Sequence, residues 1–303
     1  NGLYLASTNT ATALTIDKLW YTWPVGDNLR FWAGPKIENY YMLASSPSIY
    51  KPVLKQFALG GNGPAYGSST DGGLGFAWTQ SVDDPYQPRF AVSTNYASKG
   101  ASSPSDDGGG LFTNSQSKWL TKVEYGAPRW QISAAFAKHN CTSDDTTATN
   151  TCKTWGEYFS TSSGKNPTND NTALGLRAYW RPESTGIIPA LQIGWDSMWV
   201  DAENSPDTSQ MEEAAGWMIG AMWKDAFIDG NTLGAAFGSR VHGTEYEDST
   251  EDGAEDNSVW EVYYDYKVSD SITITPAIFG GSDTFTGTND DVFGGLVQTT
   301  FKF

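Results

Sequence analysis

Period-two alternation of apolar and polar residues recurs along almost the whole chain, and it constrains the fold more than any other feature. In "NSVWEVYYDYKVS", Trp260, Val262, Tyr264, Tyr266 and Val268 share one side, and Glu261, Tyr263, Asp265 and Lys267 the other. In "ALQIGWDSMWV", Leu191, Ile193, Trp195 and Trp199 alternate with Gln192, Gly194, Asp196 and Met198. "PRWQISAAFAKH" sets Trp130, Ile132, Ala134 and Phe136 against Gln131, Ser133 and Ala135. "LGAAFGSRV" sets Leu233, Ala235, Phe237 and Val241 against Gly234, Ala236, Gly238 and Arg240. Side chains of a strand point alternately to its two faces, so each segment reads as a strand with one wet and one apolar face.

Thirteen such strands are predicted, over 13–23, 28–39, 73–81, 88–98, 118–126, 128–139, 171–181, 187–200, 211–224, 232–242, 257–268, 271–281 and 291–303. Many of them match the ~9–11 residues that a tilted strand needs to cross a bilayer, where strands of soluble sheets are commonly ~5–6. The connections sharpen the choice. Short ones ("PVGD", "VDDPYQ", "GA", "PESTG", "DAFIDGN", "SD") alternate without exception with long ones (40–72, 99–117, 140–170, 201–210, 243–256, 282–290). An up-and-down barrel in an outer membrane has this asymmetry, with tight turns on one side and long loops on the other. Backbone in hydrocarbon must be fully paired, which for strands requires closure. The expected fold is therefore all-β, an antiparallel transmembrane β-barrel. If the last strand ends on the periplasmic side, the first predicted strand starts outside, so an odd number of strands is expected upstream of it. "NGLYLAS" could be the tail of one, and three would bring the total to sixteen.

Composition excludes several other functions. The net charge of −16 argues against nucleic acid, whose phosphates need a basic footprint. No window approaches the ~18 consecutive apolar residues of a transmembrane helix. The chain starts at Asn1 and shows no signal peptide, which reads as a mature, trimmed or partial sequence. Its two cysteines, Cys141 and Cys152, lie in "NCTSDDTTATNTC", and a disulfide closing that polar loop is expected, two free thiols being the alternative. The two histidines, His139 and His242, fall at strand ends beside long loops. No nucleophile elbow, phosphate loop or HExxH zinc motif accompanies them, so neither an enzyme nor a cofactor is expected. The run "GTEYEDSTEDGAEDN" holds seven carboxylates and no base, and reads as a solvated outer loop; weak divalent-cation binding there stays open.

Function is then expected on the wet strand faces. A charge facing lipid at mid-depth costs about 2–4 kcal/mol. Arg30, Lys122, Arg177, Asp196, Arg240, Glu261 and Asp265 are therefore expected in the lumen, with a rim position paired across strands as the alternative for each and the favoured one for Lys267. The longest connection that carries few charges, 40–72, contains "SSPSIYKPVLKQFALGGNG" and is too apolar to extend into water. It is expected to fold into the barrel and narrow it, with Tyr50, Lys51 and Lys55 near the constriction; packing on a neighbouring subunit is the alternative.

In order along the chain, "LWYTWPVGD", "SPSIYKP", "GGGLFTNSQSKW", "NTALGLRAYWRP", "NTLGAAFG", "WEVYYDYKVSDSITITPAIF" and "LVQTTFKF" resemble the cyanobacterial outer-membrane porins (SomA-like, "iron uptake porin", related to the OprB carbohydrate-selective porins). The resemblance implies a sixteen-stranded barrel of the outer-membrane porin type. It also implies a homotrimer in outer-membrane lipid that passes small solutes and inorganic ions passively. It implies, further, an N-terminal domain that binds peptidoglycan and is not in this chain. The 40–72 connection would be the family's inward-folded third loop, with Lys51 where the family usually has arginine, which keeps the charge but not the bidentate geometry.

Overall fold

The computed structural model describes residues 16–67, 70–102, 110–112, 116–140, 170–201, 211–246, 257–282 and 291–302. The pair Cys141 and Cys152, the end residue Phe303 and most of the acidic run lie outside them. Thirteen strands follow: β1 Leu19–Val25, β2 Leu29–Glu38, β3 Thr70–Thr79, β4 Arg89–Ser98, β5 Ser117–Ala127, β6 Trp130–Asn140, β7 Asn171–Trp180, β8 Ala190–Val200, β9 Met211–Lys224, β10 Thr232–Tyr246, β11 Ser258–Lys267, β12 Ile272–Ser282 and β13 Val292–Phe301. Every strand pairs antiparallel with its neighbours in sequence, giving one sheet in the order β1 to β13. All thirteen expected strands are present. Among the described residues the sheet is not closed: β1 and β13 each have a single paired neighbour.

Two local readings change. The first strand lies later than the expected 13–23 and runs through Pro24 to Val25, so the turn is only Gly26–Asn28. Pro24 lies one residue from the end of β1, opposite Arg30 of β2. Val241, assigned above to the apolar side, is buried on the other face. A register shift between Ser239 and His242 inserts an extra residue in β10 against β9 and turns Val241 inward, over Gly216.

The two faces of the sheet invert the usual order of a soluble protein. Outward-pointing Val123, Ile132, Ile193, Ile219, Ile278 and Val297 are exposed, while Lys118, Lys122, Asp196 and Glu261 on the inner face are 0% exposed. Aromatics edge the outer apolar band at both ends. Trp23, Phe31, Trp78, Phe90, Tyr125, Trp130, Trp180 and Phe301 mark the end with short turns. Tyr96, Trp119, Trp199, Trp260 and Phe293 mark the end with long connections. Many touch their neighbours: Phe90–Tyr125 at 4.5 Å, Trp23–Phe31 at 5.9 Å and Trp260–Phe293 at 6.0 Å between ring centroids. On β5, Trp119 and Tyr125 are separated by about 20 Å of strand at ~3.3 Å per residue.

The apolar core lies between the inner face and the segment joining β2 to β3. Tyr50, Val53, Leu54 and Phe57 of that segment pack against Ala190, Met218, Met222, Ala236, Val259, Tyr263 and Ala277, with Phe279 and Leu296 beside them. These side chains come from β8 to β13, which would span about 24 Å if flat at ~4.8 Å per strand. Six strands converge on a few loop residues only because the sheet curls around them.

Candidate functional site

Residues 39–67 leave β2, cross the inner wall and return to β3, using short 3-10 turns at Asn39–Tyr41, Lys55–Gly60 and Pro64–Tyr66. The polar groups of the wall hold this loop along its whole path. Asn95 of β4 donates from Nδ2 to the carbonyls of Asn39 (2.9 Å) and Met42 (3.2 Å). Lys122 of β5 donates from Nζ to the Ser45 carbonyl at 3.0 Å and is ion-paired with Glu124. Gln131 of β6 donates to Ser45 Oγ at 2.9 Å, and Gln192 Oε1 of β8 accepts the Ile49 amide at 3.0 Å.

The far end of the loop is held by Glu261 of β11. Its carboxylate accepts the Tyr50 hydroxyl at 2.9 Å, the Val53 amide at 3.2 Å and the Leu54 amide at 2.6 Å. Burial, and then the adjacent Glu261, raise the Tyr50 hydroxyl far above the ordinary phenol range, so it remains a donor. Glu261 reaches these groups because Ala236 beside it on β10 is small.

The return limb is held by an arginine. Arg177 of β7 donates from Nε to the Leu59 carbonyl at 2.8 Å and from Nη1 to the Leu176 and Trp195 carbonyls at 2.9 and 3.0 Å. Nη2 contacts both oxygens of Asp196 on β8, each at 2.9 Å, and both side chains are almost wholly buried. A buried pair of this kind tolerates its desolvation only when the remaining donors are also satisfied, as they are here. The guanidinium stands 4.9 Å from the Tyr66 ring centroid, and burial pushes the Tyr66 hydroxyl up to about 12. Lys118 of β5 closes the path, donating from Nζ to the Pro64 carbonyl at 3.1 Å and the Gly67 carbonyl at 2.5 Å.

The "LGGNG" run makes this close seating possible. A Cβ on Gly63 would sit 1.7 Å from Asp196 Oδ1, and one on Gly194 of β8 would sit 1.6 Å from the Gly60 carbonyl oxygen. The inner face under the loop is otherwise lined by alanines such as Ala135, Ala137, Ala173 and Ala214, which leave room for a second layer of chain.

Among the residues assigned to the constriction, Tyr50 is buried beneath the loop as an anchor, Lys51 is exposed on it and Lys55 is half-buried. Among those assigned to the lumen, Lys122, Arg177, Asp196 and Glu261 point inward and serve the loop. Arg240 is buried on the inner face, and Asp265 accepts the Thr275 hydroxyl at 2.6 Å where Pro276 interrupts the ladder to β11. Arg30 points inward, exposed, its guanidinium 6.0 Å from the Trp32 ring centroid. Lys267 sits at the short-turn rim, paired with Asp270 at 2.8 Å. His139 is buried against Asn171, and His242 lies past the bulge in β10. Lys118, Glu124 and Gln192, on strands that carry assigned charges, and Asn95 on β4 were not singled out from the sequence, although their inward parity was readable. No protein-family model matches the chain, and no curated protein matches it.

Proposed function

We propose that the chain is the wall and constriction of an outer-membrane channel for passive diffusion of small hydrophilic solutes and inorganic ions. One observation carries this reading: the sheet exposes an aromatic-edged apolar band outward while burying cations and carboxylates inward around a seated loop. Outward Ile, Val and Trp suit hydrocarbon, and in a bilayer-spanning wall the polar face must be the enclosed one. Such a wall must also close, so the edges of β1 and β13 would meet each other or further strands.

Several inner-face residues that the loop leaves uncovered lie near the two edges of the sheet, which closure would bring to one side. Arg30 on β2 and Gln298 and Thr300 on β13 are exposed, and Lys51 on the loop is exposed as well. In this reading the water path runs between the loop and that side of the wall. The cations Arg30 and Lys51 then favour anions where the passage narrows. The dense seating of the loop favours a second reading, a plugged barrel that serves as a structural tether in the outer membrane.

Single-channel recording in planar bilayers tests both. Steady conductance is expected, and a Lys51→Glu, Lys55→Glu variant should move the reversal potential across a salt gradient toward cation preference. An unchanged reversal potential removes these lysines from the passage, and absence of conductance favours the plug.

A further inference from the structure

A second cavity, of about 590 Å³, opens away from the loop and is not used by the channel reading. It lies where β10 parts from β11. Their pairing stops at Gly238 and Val259, whereas β10 continues to Tyr246, with its register against β9 shifted between Ser239 and His242. The gap is a notch lined by Trp195, Trp217, Ser239, His242, Asn257 and Ser258. Trp195, Trp217 and Ser239 have outward parity, so the notch faces the surroundings of the wall near the long-connection end.

Its chemistry is specific. Asn257 is 5% exposed, and neither the nitrogen nor the oxygen of its amide has a hydrogen-bond partner among the described residues. A buried amide left in this state is costly, and a ligand that both donates and accepts would relieve it. His242 Nδ1 lies 2.9 Å from the Arg240 carbonyl, which can only accept. The hydrogen is therefore on Nδ1, and Nε2 offers a lone pair. Ser239 Oγ accepts the Trp217 amide at 3.2 Å and keeps its own hydrogen to donate. The indoles of Trp195 and Trp217 are about two-fifths exposed and give broad apolar faces. The described lining residues include no carboxylate, lysine or arginine.

We propose that this notch binds the hexose headgroup of a glycolipid in the surrounding leaflet. A neutral polyol supplies paired donors and acceptors to Asn257, His242 and Ser239, and its C–H face covers an indole. A phosphate headgroup would bring charge to a notch whose described lining carries no cation. The proposal rests on the outward face meeting lipid, as in the channel reading.

The test uses the full chain in phosphatidylcholine bilayers doped with monogalactosyl diacylglycerol, with retained lipids counted by native mass spectrometry. The expected result is one galactolipid per chain, displaced by excess methyl β-galactoside, and no retention of the sugar-free diacylglycerol with the same acyl chains. An Asn257→Leu, His242→Phe variant, which removes at least two of these hydrogen bonds, should bind at least about tenfold more weakly. Equal retention of the sugar-free lipid, or undiminished binding by a folded variant, overturns the proposal. So does methyl galactoside binding alone without the lipid doing so, or occupation of the notch by a second copy of the chain. If the variant does not fold, displacement from the wild-type chain still decides. Conductance recorded on the same preparation separates the two readings: lipid retention without conductance refutes only the channel, and conductance without retention refutes only the notch.

Discussion

Replacing Glu261 with glutamine should release the far end of the inner loop while leaving the wall in place. The wild-type carboxylate accepts from the Tyr50 hydroxyl and from the amides of Val53 and Leu54. Hydrogen bonds to a charged group contribute about 1.5–3 kcal/mol each, so three amount to roughly 4.5–9 kcal/mol. Burying the carboxylate takes back several kcal/mol. Glutamine keeps one acceptor oxygen, but its NH₂ then faces groups that are themselves donors. The net loosening should be about 2–3 kcal/mol, the apolar contacts of Tyr50, Leu54 and Phe57 being retained. Hydrogen exchange at the Val53 and Leu54 amides reads this directly. Local opening should become about 30- to 150-fold more frequent, because each ~1.4 kcal/mol is a factor of ten. Exchange at strand amides such as Ala135 should not change. If Val53 and Leu54 exchange within about threefold of the wild-type rate, Glu261 is not the latch and the energetic account of the loop fails.

Other perturbations separate the remaining contributions. Arg177→Ala leaves Asp196 buried without its cation and should lower stability by about 3–5 kcal/mol in chemical denaturation, and Arg177→Lys should recover less than half, since one ammonium cannot replace the five contacts of the fork. Gly194→Ala should lift the loop at Gly60, read as faster amide exchange at Gly61 and Asn62 with β8 pairing intact. Ile193→Lys, on the outward face, should cost about 2–4 kcal/mol on refolding into vesicles, whereas inward Gln298→Lys should be nearly neutral. Equal costs for these two would contradict the assignment of lipid and water faces.

The strands were legible because period-two alternation survives wherever one face differs chemically from the other. Trp260, Val262 and Tyr264 against Glu261, Tyr263 and Asp265 needed no tertiary information. What alternation cannot show is the partner of an inward charge. Lys122, Arg177, Asp196 and Glu261 read as lumen charges; they lie buried on the inner face, and the groups they serve are carbonyls, amides and side chains mostly dozens to hundreds of residues away. A clue was available in the inner positions of β6 to β10. Ala135, Ala137, Gly175, Gly194 and Gly220 are too small to fill a wall on their own and leave space for a second layer. The bulge that turns Val241 inward left no such mark, because Val suits either face. Pro24 was readable as a turn residue, yet β1 continues through it to Val25.

The loop also precedes in sequence most of the residues that hold it. Glu261 lies 211 positions after Tyr50 and 207 after Leu54, and Arg177 lies 118 after Leu59. Contacts of such long separation form slowly, because the intervening chain must be closed before they give any return. The segment is therefore made early, and its backbone donors and acceptors exchange water for protein partners only when β5, β7 and finally β11 arrive to receive it. The arriving strands also bend over its apolar side chains, β5 to β10 over Leu43 and Tyr66 and β8 to β13 over Tyr50, Leu54 and Phe57. The loop acts as a mandrel: the sheet curls over the bulk of Tyr50, Leu54, Phe57 and Tyr66.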